Sequence, residues 1–190
     1  MGPSSRSGST AQFVRSFEDP TATNFYGQRV VFADLAQHTL SMDTRLNVTF
    51  TPTLTLELFA QPLVASGDYT NFKEFDAPRA LRKTVYDNQQ LSVIRSTTGR
   101  DSVYVLNPDR DPTTPSFTFT NPDFNLRSLR GNAVLRWEYR PGSTLFFVWQ
   151  QRRSGVGAYG DFVFSRDATD LLREQPDNIF VIKATYWFGR

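Results

Sequence analysis

The chain has 190 residues, with 21 basic and 19 acidic side chains, one histidine and no cysteine. The formal charge of +2 gives no electrostatic case for nucleic-acid binding, and the lack of cysteine excludes disulfides and thiolate metal sites. No stretch approaches the roughly 18 apolar residues of a transmembrane helix, whereas strands that alternate lipid-facing and polar residues fit the mean hydropathy of −0.42.

The first 27 residues are predicted to form a flexible N-terminal segment. Residues 1–10 are dominated by Ser, Gly and Thr and contain no apolar core of a signal peptide. We therefore expect the folded part of the chain at residues 28–190.

Alternation of apolar and polar residues predicts two long strands in a first hairpin. One face of residues 36–50 is largely apolar: Ala36, His38, Leu40, Met42, Thr44, Leu46, Val48 and Phe50. Thr51-Pro52-Thr53 ends this strand, since proline cannot donate a ladder hydrogen bond, and the alternation resumes at Leu54.

Residues 76–122 are predicted to form a long polar connection, rich in Asp, Pro, Thr and Arg. Within it, residues 91–94 and 103–106 have the composition of a small hairpin around Thr97-Thr98-Gly99-Arg100.

A second hairpin is predicted at residues 125–139 and 145–150, joined by the turn Arg140-Pro141-Gly142-Ser143. Residues 154–177 follow as a second long connection, in which residues 167–174 are expected to form a short helix capped by Asp167 or Thr169. Residues 178–188 are predicted to be the last strand.

The lengths and connections of these strands favour an all-β fold, as an antiparallel up-and-down transmembrane β-barrel segment. Two strands run about 15 residues, against about 5–6 for most globular strands. The short turns and the last strand's end lie on one side of the predicted sheet and both long connections lie on the other, as in outer-membrane barrels.

Two groups of side chains follow from this arrangement. The charged residues expected to face the lumen are Arg45, Glu57, Arg130, Arg136, Glu138 and Lys183. The aromatic residues expected at the membrane–water interface, beside the short turns, are Phe50, Trp137, Tyr139, Tyr186 and Phe188.

About five long strands are predicted, which cannot close a bacterial barrel because such barrels have an even number of at least eight. We therefore expect a larger barrel, closed either by a further N-terminal part of the same protein or by other chains.

No catalytic, cofactor-binding or metal site is predicted. His38, the single histidine, falls on a mainly apolar strand face, which favours a structural role. Asp109, Asp111 and Asp123 lack the glycine and distal glutamate of a calcium loop, although loose calcium binding stays open. Glu57 and Glu138 could serve a glycosidase only if their carboxylates were about 5–10 Å apart.

Three stretches resemble the C-terminal end of the DUF5916 family. They are residues 124–145, which contain Arg-Trp-Glu-Tyr-Arg-Pro-Gly-Ser, residues 148–151 and residues 178–188; residues 47–54 resemble the preceding hairpin. The resemblance covers about residues 29–188. It implies a large bacterial outer-membrane protein with an N-terminal carbohydrate-binding family 9-like β-sandwich followed by a barrel, and no counterpart of that β-sandwich occurs here.

The last strand also resembles the signal read by the outer-membrane assembly machinery, with an aromatic residue near the end and apolar residues at alternate positions before it. It departs from that pattern because Gly189 and Arg190 follow Phe188.

These observations predict a structural part of a barrel in the bacterial outer membrane, with a role in transport or surface glycan handling. The expected partners are the lipid bilayer, the assembly machinery and the strands that complete the barrel. Two alternatives stay open, namely the membrane anchor of a carbohydrate-active envelope hydrolase and a soluble β-sandwich binding module.

Overall fold

The computed structural model describes residues 4–94 and 102–189, which form two antiparallel sheets and one α-helix. The all-β class predicted from the sequence is confirmed. The elements in chain order are β1 (Ser4–Glu18), a 3-10 turn (Thr23–Phe25), β2 (Gln28–Ser41), β3 (Thr44–Thr51), β4 (Leu54–Phe75), β5 (Lys83–Val85), β6 (Leu91–Ile94), β7 (Val103–Leu106), β8 (Phe117–Thr120), β9 (Phe124–Arg140), β10 (Ser143–Gly157), α1 (Phe164–Arg173) and β11 (Asp177–Thr185).

The large sheet is a meander in the order β1-β2-β4-β9-β10-β11, and β3 and β5 pair with the two ends of β4. β2 and β3 keep one register against β4, since Ser41 pairs with Leu63 and Thr44 with Ala60. The ladder is interrupted between them because Pro62 accepts a hydrogen bond from the Met42 N–H at 3.2 Å but has no N–H to return.

The connections of the meander divide the sheet into two ends. Residues 52–53 and 141–142 form two turns at one end, which we call the tight-turn end. Residues 19–27, 76–123 and 158–176 connect strands at the opposite end, the long-loop end. The asymmetry of the connections is therefore as predicted.

The N-terminal segment differs from the prediction. Instead of a flexible segment, Ser4–Glu18 forms β1 and pairs with β2 from Ser4 opposite Ser41 to Glu18 opposite Gln28. Its polar side chains gave no apolar alternation to detect, because an edge strand is held largely by backbone hydrogen bonds. The meander thus has six strands, and the predicted count of five omitted β1. At the height of β3, five strands lie side by side: β3, β4, β9, β10 and β11.

A small sheet of β6, β7 and β8 lies within the first long connection. The predicted hairpin is confirmed, with Leu91 opposite Leu106 and Ile94 opposite Val103, while its expected turn at residues 97–100 lies outside the described residues. β8 was not predicted. The small sheet packs on the large one through a core of buried side chains: Val31, Ala33, Phe72, Tyr86, Leu106 and Phe119.

The helix begins three residues earlier than predicted, at Phe164, and its predicted caps are wrong. Asp167 lies inside the first turn, where its carboxylate accepts the N–H of Val163 at 3.0 Å. Among the residues described, no helix is long and apolar enough to cross a bilayer.

β11 ends at Thr185, three residues before the predicted end of the last strand. The ladder stops there because Thr185 pairs with Thr144, next to the start of β10. Beyond it, the Trp187 N–H donates to the Ser143 hydroxyl at 3.0 Å.

Candidate functional site

The two faces of the large sheet differ in chemistry around β3, β4, β9, β10 and β11. Directly paired residues of antiparallel strands lie on the same face, so the register defines each face without ambiguity. We call the face that carries Leu56, Leu135 and Phe147 the apolar face, and the face that carries Glu57, Arg136 and Lys183 the mixed face.

On the apolar face, consecutive rows of paired residues form a continuous hydrophobic surface, which we call the apolar belt. Three rows cross four strands: Leu54, Trp137, Leu145 and Ala184; Leu56, Leu135, Phe147 and Ile182; and Leu58, Ala133, Trp149 and Phe180. Leu46 and Val48 extend the belt onto β3. Much of it faces solvent, with Phe180 73% and Ile182 68% exposed.

The belt's upper margin is oblique to the rows of paired residues. Moving toward the long-loop end, the uninterrupted run of apolar side chains on this face ends at Leu40 in β2, Val64 in β4, Leu129 in β9 and Trp149 in β10. Farther along β2, beyond His38, the same face carries Ala36 and Phe32. Leu40 pairs with Val64, but Leu129 pairs with Pro62, one row lower, and Trp149 lies lower again, opposite Ala133. The margin therefore descends from β4 through β9 to β10 and is level between β10 and β11, where Phe180 pairs with Trp149.

The aromatic residues predicted for the interface lie together at the tight-turn end. Trp137 and Tyr139 have ring centroids 6.0 Å apart, and Tyr186 and Phe188 have centroids 4.5 Å apart. Phe50 adjoins the turn at residues 52–53 and, like the other four, is exposed. The structure thus gathers all five predicted aromatic side chains at one end of the belt.

The predicted charged residues all lie on the mixed face, spread over its strands. By register, this face carries Arg45, Glu57, Arg130, Arg136, Glu138 and Lys183. Within the described residues, Arg136 and Glu138 are the one ion pair among them, at 3.4 Å. Arg45 lies 5.5 Å from the centroid of the Phe59 ring, and Lys183 lies 6.0 Å from that of Phe146.

A hollow of about 340 Å³ opens on the mixed face, lined by Arg45, Asn47, Glu57, Phe59 and Asn132 among others. It does not bring together the two glutamates considered for a glycosidase. Glu57 is paired with Val134, and Glu138 lies four residues farther along β9, so their backbones are about 13 Å apart along the strand. Glu138 does not line the hollow, and its carboxylate is held by Arg136 at 3.4 Å and by the Gly142 N–H at 3.2 Å.

Near the long-loop end, the mixed face is covered by the small sheet and its core. Beside this core, the Arg29 guanidinium joins three carboxylates from different segments, at 2.5 Å to Asp19, 3.1 Å to Glu74 and 2.7 Å to Asp109. Burial alone would raise the pKa of Asp19, but hydrogen bonds from Thr21 and Arg29 outweigh it and lower this pKa. Burial, reinforced by nearby Glu74, raises the pKa of the Tyr86 hydroxyl.

The apolar face is also covered near the long-loop end, by residues 158–176, which we call the covering segment. Its anchor is Arg127, a buried residue whose guanidinium bonds Asn125 at 3.0 Å, the Tyr159 hydroxyl, and Glu174 at 3.3 Å. His38 meets the same segment, with its ring centroid 6.3 Å from that of Phe162. This contact matches the structural role expected for the histidine.

The loop aspartates considered for calcium are not gathered at one place. Asp109 pairs with Arg29, Asp111 accepts hydrogen bonds from Thr113, and Asp123 accepts the Tyr69 N–H at 2.8 Å. Over residues 4–94 and 102–189, no cluster of three His, Asp or Glu side chains has the geometry of a metal site.

Sequence reasoning missed Arg29 and Arg127, the two arginines that tie the long connections to the sheet. For Arg127 a signal existed. Its position continues the alternation of Leu129, Ala133 and Leu135, so the arginine marks the residue at which this face of β9 changes from apolar to charged. Arg29 carries no comparable signal, since its three partners are distant in sequence.

Comparisons of the chain with protein-family profiles, with curated proteins and with solved structures found no match. The functional argument therefore depends on the geometry of the molecule.

Proposed function

We propose that this chain is a section of a bacterial outer-membrane β-barrel, with the apolar belt facing lipid and the mixed face toward the barrel interior. The observation that carries the proposal is the belt itself, a solvent-facing hydrophobic surface continuous across five strands. Soluble monomers seldom expose apolar patches larger than a few hundred Å².

The dimensions of the belt support this proposal. On β9 it extends over the eleven residues from Leu129 to Tyr139, whose ten steps span about 33 Å along a strand. A barrel strand tilted by about 40° would cover about 25 Å of membrane height over that length, which equals the usual apolar band of an outer-membrane barrel. The aromatic residues then lie at the level where rings prefer the membrane interface.

The oblique margin supports the same orientation. In a closed barrel the strands tilt, so a horizontal membrane boundary crosses neighbouring strands at successively shifted residues. The step from Val64 to Leu129 and on to Trp149 has this form. A flat sheet of a soluble sandwich has no comparable reason for a stepped margin.

The main rival, a soluble β-sandwich, would use the apolar face as its core. In the described part of the chain, the buried hydrophobic cluster lies instead on the mixed face, beneath the small sheet. The belt would then need a second layer from elsewhere to cover Phe180, Ile182 and Trp149, which are exposed here.

Closure of the barrel requires additional strands. At belt height the two edge strands are β3 and β11, and both run toward the tight-turn end. Because β3 and β11 run in the same direction, an antiparallel barrel can close between them only through an odd number of further strands. Added to the five strands at belt height, an odd number gives an even total, as barrels of this kind have. We propose that they come from another part of the same protein or from other chains, in line with the resemblance to the DUF5916 barrel.

Within this proposal, a surface scaffold is better supported than an open pore. The small sheet lies against the interior face near the long-loop end, where its core would occupy the mouth of the barrel. The long connections would then be presented on the outer surface of the cell, held in place by Arg29 and Arg127.

The experiment that tests the proposal is fractionation of the intact protein from its native envelope. A barrel should resist carbonate extraction and should migrate faster in detergent gels before boiling than after it. Release into the carbonate supernatant, together with migration that boiling does not change, would contradict the membrane assignment.

A further inference from the structure

We infer that α1 is an interfacial helix that rests on the outer leaflet beside the barrel, an inference that depends on the proposed function. The helix belongs to the covering segment, which lies on the same face as the apolar belt. A helix on the lipid-facing side of a barrel has to meet either the solvent above the bilayer or the bilayer itself.

The position of the covering segment follows the margin of the belt. It meets His38, the next residue on this face beyond Leu40 in β2, and Arg127, the next beyond Leu129 in β9. Two residues along a tilted strand correspond to about 5 Å of membrane height. Both contacts are therefore about equally far above the proposed hydrocarbon boundary, within the depth of the headgroup layer.

The C-terminal end of α1 is tied to the sheet beyond the margin of the belt. Arg153 of β10 donates to the carbonyl oxygen of Leu172, and Glu174 reaches Arg127 at 3.3 Å. The side chain of Glu174 lies where Gly155 has no Cβ, which allows the segment to approach the sheet closely. The C-terminal end of the helix is thus held by contacts on two neighbouring strands, β9 and β10.

The exposed surface of α1 has the chemistry of a membrane-surface helix. Phe164 and Leu172 are 62% and 63% exposed, while Leu171 is 5% exposed and packs on the protein. Phe164, Ala168 and Leu172 recur every four residues, so they form one stripe of about 80° around the helix. Arg173 lies on the polar side, where a cation can reach lipid phosphates.

The bilayer explains this stripe better than a protein partner does. The stripe borders the buried side of a helix that is otherwise strongly polar, and it lies at the edge of a much larger apolar surface. At its outer margin the belt carries the aromatic pair Trp149 and Phe180, with ring centroids 6.3 Å apart, and Phe164 adds an exposed ring in the covering segment. Lipid contact by the helix continues the lipid contact of the belt.

Site-specific fluorescence tests this inference, because the chain has no cysteine and single-cysteine variants can be labelled uniquely. The variants F164C and L172C probe the stripe, T169C probes the polar side of the same helix, about 100° from the middle of the stripe, and I182C probes the belt. The labelled intact protein is reconstituted in phosphatidylcholine vesicles that contain a headgroup-spin-labelled phosphatidylcholine, and quenching by this lipid is compared with quenching by aqueous iodide.

We expect the labels at 164 and 172 to be quenched by the headgroup-labelled lipid and to lose most of their iodide quenching, whereas the label at 169 keeps its iodide quenching. If the label at 182 reports lipid but those at 164 and 172 behave like the label at 169, the interfacial helix is refuted and the barrel stands. Protection of 164 and 172 from both quenchers would indicate a protein partner and also refutes it. Water exposure of the label at 182 refutes the barrel and the helix together.

Discussion

A charge placed on either side of β9 gives the sharpest test of which face meets lipid. Leu135 lies on the apolar belt, paired with Leu56 and Phe147. Asn132 lies three residues away on the mixed face, beside the hollow that contains Glu57. We compare Leu135→Arg with Asn132→Arg, two substitutions that introduce the same side chain into the same strand.

The expected magnitude follows from the depth of the two positions. The belt on β9 extends from Leu129 to Tyr139, so its middle is near residue 134, one residue from Leu135 and two from Asn132. An arginine on the lipid face near the midplane costs roughly 2–4 kcal/mol. This corresponds to about a 30- to 700-fold loss in the equilibrium between folded and unfolded protein. An arginine at 132 has Glu57 nearby and should cost much less.

The assay is the folded fraction of the intact protein in its native envelope, measured by heat-modifiable migration and by the urea midpoint of refolding into vesicles. Leu135→Arg should lower both strongly, and Asn132→Arg should leave both near the parent values. Equal effects at the two positions, or a larger effect at 132, would refute the assignment of the faces.

Three further predictions concern the long-loop end. Arg29→Met leaves three carboxylates without their cation and should lower stability by about 3–5 kcal/mol, seen as a lower denaturant midpoint. Because the pKa of Asp19 is lowered from 3.8, its stabilising contribution is complete above that pH and is lost on acidification below it; Asp19→Asn should remove this part of the acid-unfolding curve. Gly160→Ala would place a Cβ 2.4 Å from the Asp68 Cα and should speed hydrogen exchange across α1, whereas Gly131→Ala, with its nearest atom at 3.8 Å, should not.

Much of the large sheet could be predicted from alternation and turn chemistry. Pro52 and the Pro141–Gly142 pair mark turns by their own backbone restrictions, so both tight turns and the strands next to them were predicted, although β10 continues to Gly157, into the predicted long connection. The same alternation assigns Leu135 and Arg136 to opposite faces, and the observed register agrees.

Other elements carry no local signal. Ser4–Glu18 became a strand because the edge of β2 offers it unpaired backbone groups, and that edge exists only after β2 has formed. The end of the last strand at Thr185 depends in the same way on where β10 begins. Neither feature can be read from the residues that make it up.

By itself the sequence determined the long alternating strands, the tight turns and the two faces of the sheet, because these depend on neighbouring residues and on a period of two. Only the tertiary structure decided which surfaces near the long-loop end are covered, since Arg29 binds a carboxylate 80 residues away and Arg127 one that is 47 residues away. The slope of the belt's margin was likewise decided by the tertiary structure. It appears only when several strands are aligned in register, so the sequence of one strand does not reveal it.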